Sequence, residues 1–162
     1  MAARATDEPF DAFYRAEAEL LLRFLLRFGA TVADAADASG HAFAEVYVRW
    51  TQLHEPRSYL RRVAINELAS LKARPLTDVE RVFRGCWAVE LVEDVYHQDE
   101  IQRVLAAMNK LPPRQREVMA WYYDGYKATE IAELLGLNVS TVHSNLRHAK
   151  EALRQLGVGE SR

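Results

Sequence analysis

Thr129 to Leu153 reads T-E-I-A-E-L-L-G-L-N-V-S-T-V-H-S-N-L-R-H-A-K-E-A-L. Ile131, Leu134 and Leu135 stand at i, i+3 and i+4, which is one face of a short helix. Gly136 follows at once, where a residue of left-handed backbone would end that helix. Asn138 then occupies the place of an N-cap, where its side-chain oxygen can accept an orphaned amide N–H. Val142, Leu146, Ala149 and Leu153 recur at i, i+4, i+7 and i+11 and give a second helix its inner face. The outer face carries Ser140, Thr141, His143, Ser144, Arg147, His148 and Lys150, with no acid before Glu151. Helix, tight turn and helix with such an outer surface predict a helix-turn-helix, whose second helix suits the electronegative major groove of DNA. An αα-hairpin in any helical bundle shows the same periodicity, so the rest of the chain decides between the two.

The chain has 162 residues, 49 % hydrophobic and 27 % charged, enough apolar surface for a core and enough charge for solubility. No apolar run approaches the roughly 20 residues that span a bilayer, since the longest, Leu20 to Phe28, contains Arg23 and Arg27. Asp7, Glu8 and Asp11 stand where a secretory signal would have its apolar region. No signal peptide and no membrane insertion are expected. Cys86 is the single cysteine, which excludes an intramolecular disulfide and a cysteine-rich metal site. A structural thiol and a cytoplasmic location are expected. Net charge is −2, unevenly spread: residues 1–74 balance to 0, residues 75–110 carry −3, and residues 111–162 carry +1. Phosphate neutralisation supplies most non-specific affinity, so this chain alone should hold DNA weakly.

Glycine and proline are scarce and apolar periodicity is helical nearly throughout, which predicts an all-α protein. A first helix runs from about Pro9 to Phe28, with Asp7 as a cap and Phe10, Phe13, Tyr14, Leu21, Phe24, Leu25 and Phe28 as its stripe. Gly29 stops it. A second begins after Thr31 and runs towards Trp50, with Gly40 inside it at a cost of about 1 kcal/mol relative to alanine. Thr51 to Glu55 is a loop. Pro56 opens a third helix, with Tyr59, Leu60, Val63, Ala64, Leu68 and Leu71 inward, which Pro75 closes just after Arg74. In residues 75–97 a short helix capped by Asp78 is broken by Gly85, and Glu90, Glu93 and Asp94 make the stretch acidic. From Gln98 a helix follows on Ile101, Val104, Leu105, Met108 and Leu111. Pro112-Pro113 ends it and starts another, Arg114 to Tyr123, with Val118, Met119 and Tyr122 inward. Asp124-Gly125 is a turn signal.

Two blocks resemble one family. The text from Leu111-Pro112 through Arg114-Gln115-Arg116-Glu117, Ile131-Ala132 and Arg147-His148-Ala149 looks like region 4 of a bacterial RNA polymerase sigma factor of the extracytoplasmic-function group. F-D-A-F-Y-R (Phe10 to Arg15), D-A-A-D (Asp34 to Asp37) and S-Y-L-R-R-V-A-I-N (Ser58 to Asn66) look like region 2 of the same group. The resemblance implies two small helical domains, a region 2 bundle over 1–74 and a region 4 helix-turn-helix over 98–162, joined by an acidic linker over 75–97. It implies core RNA polymerase and promoter DNA as partners, with an anti-sigma protein as a further partner by analogy. Where the group has D-L-V-Q-E-T-F-like text after D-A-x-D, this chain has Ala38-Ser39-Gly40-His41-Ala42-Phe43.

On this reading Ser140, Thr141, His143, Ser144, Arg147 and His148 read the minus-35 duplex. Arg147 is suited to a bidentate guanine contact, and Lys127, Lys150 and Arg154 to phosphates, which fix register rather than sequence. Arg114 and Arg116 are further phosphate candidates. Gln52, Leu53 and His54, with Arg61, Arg62, Asn66 and Lys72, would hold the melted minus-10 strand by edge contacts and charge. Trp50 and Tyr59 are expected in the core. Asp34, Asp37, His41 and Phe43 are the candidates for polymerase contact, with helix capping as the plainer role of the aspartates. No phosphate-cradling glycine loop and no H-E-x-x-H is present, and the five histidines lack metal-ligand spacing. No catalytic residue, metal or cofactor is expected. A helix-turn-helix regulator acting without polymerase is the alternative reading. The basic face of the third helix and the acidic linker are features such a duplex-only regulator would not need.

Overall fold

The computed structural model describes residues 7–70 and 98–158. The expected acidic linker, the helix opened by Asp78, Cys86, the last turn before Pro75 and Lys72 lie outside the described residues. Among the described residues there are seven α-helices and no strand. They are α1 (Asp7–Phe28), α2 (Val32–Arg49), α3 (Pro56–Ser70), α4 (Asp99–Met108), α5 (Pro113–Tyr123), α6 (Ala128–Leu135) and α7 (Val139–Gln155), with a 3-10 turn at Trp50–Gln52. The all-α expectation holds, and α1 starts two residues earlier than Pro9, at Asp7. The helices fall into two compact units, α2 and α3 with the greater part of α1 in one, and α4 to α7 in the other.

In the first unit α1 buries Phe10, Leu21, Leu22, Phe24 and Leu25. Each such side chain contributes about 1.5–3 kcal/mol of transfer free energy. Phe13 and Tyr14 are only half-buried, because they form the outer layer of an aromatic cluster. Phe10 meets Tyr47 edge-on at 5.0 Å and Trp50 at 5.4 Å, while Tyr14 meets Phe43 at 4.7 Å. Thr31 caps α2, its Oγ1 accepting the N–H of Asp34 at 3.1 Å. The inner face of α2 is built mainly of small residues, Ala35, Ala38, Ser39, Gly40 and Ala42, before Phe43 and Val46. This lets α3 lie close, with Leu60 and Ala64 inward. Gly40 is buried within that face, and the helix runs through it unbroken.

One polar contact is deep. Arg61 is fully buried and ion-pairs with Glu17 of α1, itself 8 % exposed. The second oxygen of that carboxylate stands 3.3 Å from Arg57 Nε. Two charges removed from water together are tolerated because each satisfies the other, whereas one alone is left with its full desolvation cost. In the second unit Leu105, Met108, Leu111, Val118, Met119, Trp121, Ile131, Val142, Leu146 and Leu153 form the core. Periodicity put Tyr122 inward on α5. The structure instead buries the neighbouring Trp121 completely, edge-on to Tyr126 at 5.0 Å, and leaves Tyr122 half-buried.

Glu17→Ala leaves the Arg61 guanidinium buried without its counter-ion, so urea denaturation followed by circular dichroism should show a loss of about 3–5 kcal/mol. The double variant Glu17→Leu with Arg61→Met should recover most of it.

Candidate nucleic-acid interface

The second unit ends in the expected helix-turn-helix. Lys127 precedes α6, and its backbone N–H donates to Glu130 Oε2 at 2.7 Å. This is the acidic half of a capping box; an ammonium has no lone pair to supply the other half. Ile131 and Ala132 bury the inner side of α6. Gly136 ends the helix at φ 62° and ψ 36°, the left-handed region, and the Leu137 N–H returns to the Ala132 carbonyl at 2.9 Å. That six-to-one bond is the Schellman closure. A Cβ at Gly136 would meet nothing within 4 Å, so what excludes other residues there is the backbone conformation alone.

Asn138 has the backbone of an N-cap, φ −72° and ψ 143°, but its side chain makes no capping hydrogen bond. The sequence expectation fails at this point. The residue is exposed, and water can satisfy the first amides of an exposed helix without it. Beyond it Val142, Leu146, Ala149 and Leu153 are buried, as their spacing predicts. Ser140, Thr141, His143, Ser144, Arg147 and His148 are all exposed, so one helix presents the six together. Asn145 lies half-buried between them and donates to the Thr141 carbonyl at 2.9 Å.

The three flanking cations differ. Lys127 is exposed at the start of α6. Lys150 is half-buried and tied to α5, its Nζ 3.0 Å from the Tyr122 hydroxyl and 4.2 Å from that ring's centroid. It is a strut between two helices as well as a charge. Arg154 is exposed, with its Nη2 at 2.9 and 2.7 Å from the two oxygens of Glu151. Of the further candidates, Arg114 is exposed and pairs with Glu117 at 2.6 Å, and Arg116 is half-buried.

In the first unit Gln52 and His54 are exposed and Leu53 half-buried in the turn after α2. Trp50 is wedged against Phe10 at 5.4 Å and Phe13 at 5.0 Å, which makes it a support of that turn rather than a free platform. Tyr59 is half-buried, its hydroxyl 3.4 Å from Glu45. Arg62 and Asn66, one turn apart on α3, are exposed. Arg61 is not: its charge is spent on Glu17 inside the bundle, so its assignment to strand binding is corrected. Phe43 is likewise 0 % exposed beneath Tyr14, a core residue with no surface to offer a partner. Asp34 lies in the first turn of α2, where a carboxylate complements the helix dipole, and Asp37 is half-buried. His41 is half-buried with Nε2 3.5 Å from Glu67 of α3, a pairing that no local sequence signal announces. Among the described residues no group of three or more histidines, cysteines or acids could hold a metal, and no helix is long and apolar enough to cross a membrane.

Residues 101–153 match the family model of sigma-70 region 4, a span that starts within α4 and ends within α7. The RNA polymerase sigma-E factor of Streptomyces coelicolor is 31 % identical over 152 residues, covering 90 % of this chain and 84 % of that protein. A probable RNA polymerase sigma factor RfaY of Xanthomonas campestris is 30 % identical over 76 % of this chain, which spans only 34 % of that longer protein. The ECF RNA polymerase sigma factor SigK of Mycolicibacterium vanbaalenii is 37 % identical over 70 residues. No solved structure matches the chain. With a helix-turn-helix inside the matched span and a sigma factor aligned along most of its length, the chain belongs to the sigma-70 family of RNA polymerase sigma factors, in the extracytoplasmic-function group.

Proposed function

We propose that this chain binds core RNA polymerase in the cytoplasm and directs promoter-specific initiation, reading the minus-35 duplex with α7 and capturing the melted minus-10 strand with the turn after α2 and the outer face of α3. The observation that carries the reading is the surface of α7. Six polar or basic side chains stand exposed on one helix, held outward by four buried apolar ones, inside the segment that matches region 4. A helix of that kind fits the width of the major groove. Arg147 carries the guanine contact, Ser140, Thr141, His143, Ser144 and His148 line the rest, and Lys127 and Lys150 meet phosphate. For the minus-10 strand, Gln52 and His54 offer polar groups on a turn held by the aromatic cluster, and Arg62 and Asn66 offer donors and charge on α3. Polymerase contact falls to Asp34, Asp37 and His41, without Phe43. An anti-sigma protein is a partner by family analogy alone.

Run-off transcription with core polymerase and a pool of bacterial upstream DNA fragments tests the whole. The chain should give promoter-dependent transcripts; a chain that adds none to core enzyme is not acting as a sigma factor. Arg147→Ala should cut transcription from minus-35-dependent promoters by about ten-fold or more, the equivalent of 1–3 kcal/mol for one bidentate base contact. Core binding in a pull-down should be unchanged, and equal loss in both assays would remove Arg147 from the interface. The double variant Arg62→Ala, Asn66→Ala should weaken capture of a labelled single-stranded minus-10 oligonucleotide by the assembled holoenzyme. Its binding to minus-35 duplex should stay at the wild-type level.

A further inference from the structure

Ser140, Ser144, Arg147, Glu151 and Arg154 follow one another at steps of four, three, four and three residues along α7, so they form a single stripe. That stripe begins among the proposed base readers and continues towards the helix end. Glu151 is the one acid in it. Its carboxylate is fully engaged: Arg154 Nη2 reaches Oε1 at 2.9 Å and Oε2 at 2.7 Å, and Gln155 Nε2 reaches Oε1 at 3.0 Å. Arg154 holds the Glu151 carboxyl below its ordinary range, with Gln155 adding to the effect, and Glu151 in turn holds the guanidinium above its own. A carboxylate that places both oxygens on one guanidinium nitrogen presents the single negative charge and paired acceptor oxygens that a backbone phosphate would present to it.

We propose that Glu151 acts as an internal stand-in for a DNA phosphate, occupying Arg154 and so limiting the grip of α7 on duplex DNA. The inference rests on the proposed reading of α7 as the duplex-facing helix. Glu151 is therefore a positioning residue, acting through Arg154. An exposed ion pair adds little to folding stability. Beside DNA the same carboxylate matters more, because the guanidinium it neutralises is one cation fewer for the phosphates. The consequence is a recognition helix whose contact stops short of its last turn and whose non-specific hold on DNA is kept low.

The test is the salt dependence of binding, measured by fluorescence anisotropy of the intact chain on a mixed-sequence DNA duplex between about 50 and 200 mM salt, where each phosphate neutralised adds about 0.9 to the slope of log K against log salt. Glu151→Gln should steepen the slope by about 0.9 and tighten binding about two- to five-fold at low salt. Arg154→Ala added to Glu151→Gln should remove the gain in slope. The proposal is overturned if the double variant's slope falls below that of the wild type, since Arg154 would then already be on phosphate. It is equally overturned if Glu151→Gln tightens binding by the same factor with and without Arg154, which would be simple relief of repulsion. Lys150→Gln, which removes the α7 cation assigned to phosphate while keeping a donor for Tyr122, is the control for the underlying reading. It should make the slope shallower by about 0.9, and if it leaves binding untouched then α7 does not face the duplex, a failure distinct from either of the other two.

Discussion

Four buried side chains of α7, Val142, Leu146, Ala149 and Leu153, hold the second unit's functional surface in place. A helix advances about 100° per residue. Turning α7 by a single residue would bring His143, Arg147, Lys150 and Arg154, or in the other sense Thr141, Asn145 and His148, into the core and expose the apolar row, at about 1.5–3 kcal/mol for each large side chain moved. No polar contact on the outer face is strong enough to offset that. The exposed face of α7 is therefore fixed from the inside, and in the proposed function its residues are free to be chosen for recognition. The left-handed Gly136 completes the arrangement, because it lets α6 stop within one residue and α7 begin two residues later.

The first unit solves a similar problem with different materials. Its α1–α2 contact is aromatic and its α2–α3 contact is made of small residues, so the former is thick and the latter close. The Glu17–Arg61 pair then ties α1 to α3 across the interior. A buried pair of this kind is weak as a source of stability yet severe when broken, which makes it a device that specifies one packing. The exposed Gln52, His54, Arg62 and Asn66 sit on elements immobilised in this way. A turn that must meet an unstacked base has to be ordered beforehand, or the cost of ordering it comes out of binding.

Much of this was legible in the sequence, for a definite reason. Periodicity of 3.6 residues reports which face of a helix is inward, and the faces of α1, α3, α4 and α7 follow from it. The Gly136 stop and the start of α2 after Thr31 were legible because local backbone chemistry decides them. What could not be read is what each face meets. Arg61 stood on an outer-looking position of α3, but its partner is 44 residues away in the chain. Phe43 was a candidate for polymerase contact, and only the tertiary packing of Tyr14 closes over it. Lys150 was one of several cations on α7 until Tyr122, 28 residues earlier, claimed it. Asn138 shows the converse: the residue type was right for a cap, yet solvent made the hydrogen bond unnecessary. Local rules propose such contacts, and the surroundings decide whether they form.

Charge joins these observations. The chain has net charge −2, and Arg154 of α7 is paired with Glu151, so it brings little positive charge of its own to a polyanion. In the proposed function that weakness is consistent with two modest nucleic-acid faces carried by a larger enzyme. Once both are held on one scaffold, the second contact becomes intramolecular, and effective concentrations in the millimolar range can raise joint affinity by about 100-fold or more without any new contact. A strongly basic α7 would lose that advantage, since sequence-independent affinity would hold the free chain on the vast excess of other duplex. Specificity then depends on short-range contacts such as that of Arg147, while the long-range field is kept near neutral. In the proposed function the acid within the stripe of α7 belongs to that second requirement as much as the hydroxyls and the arginine belong to the first.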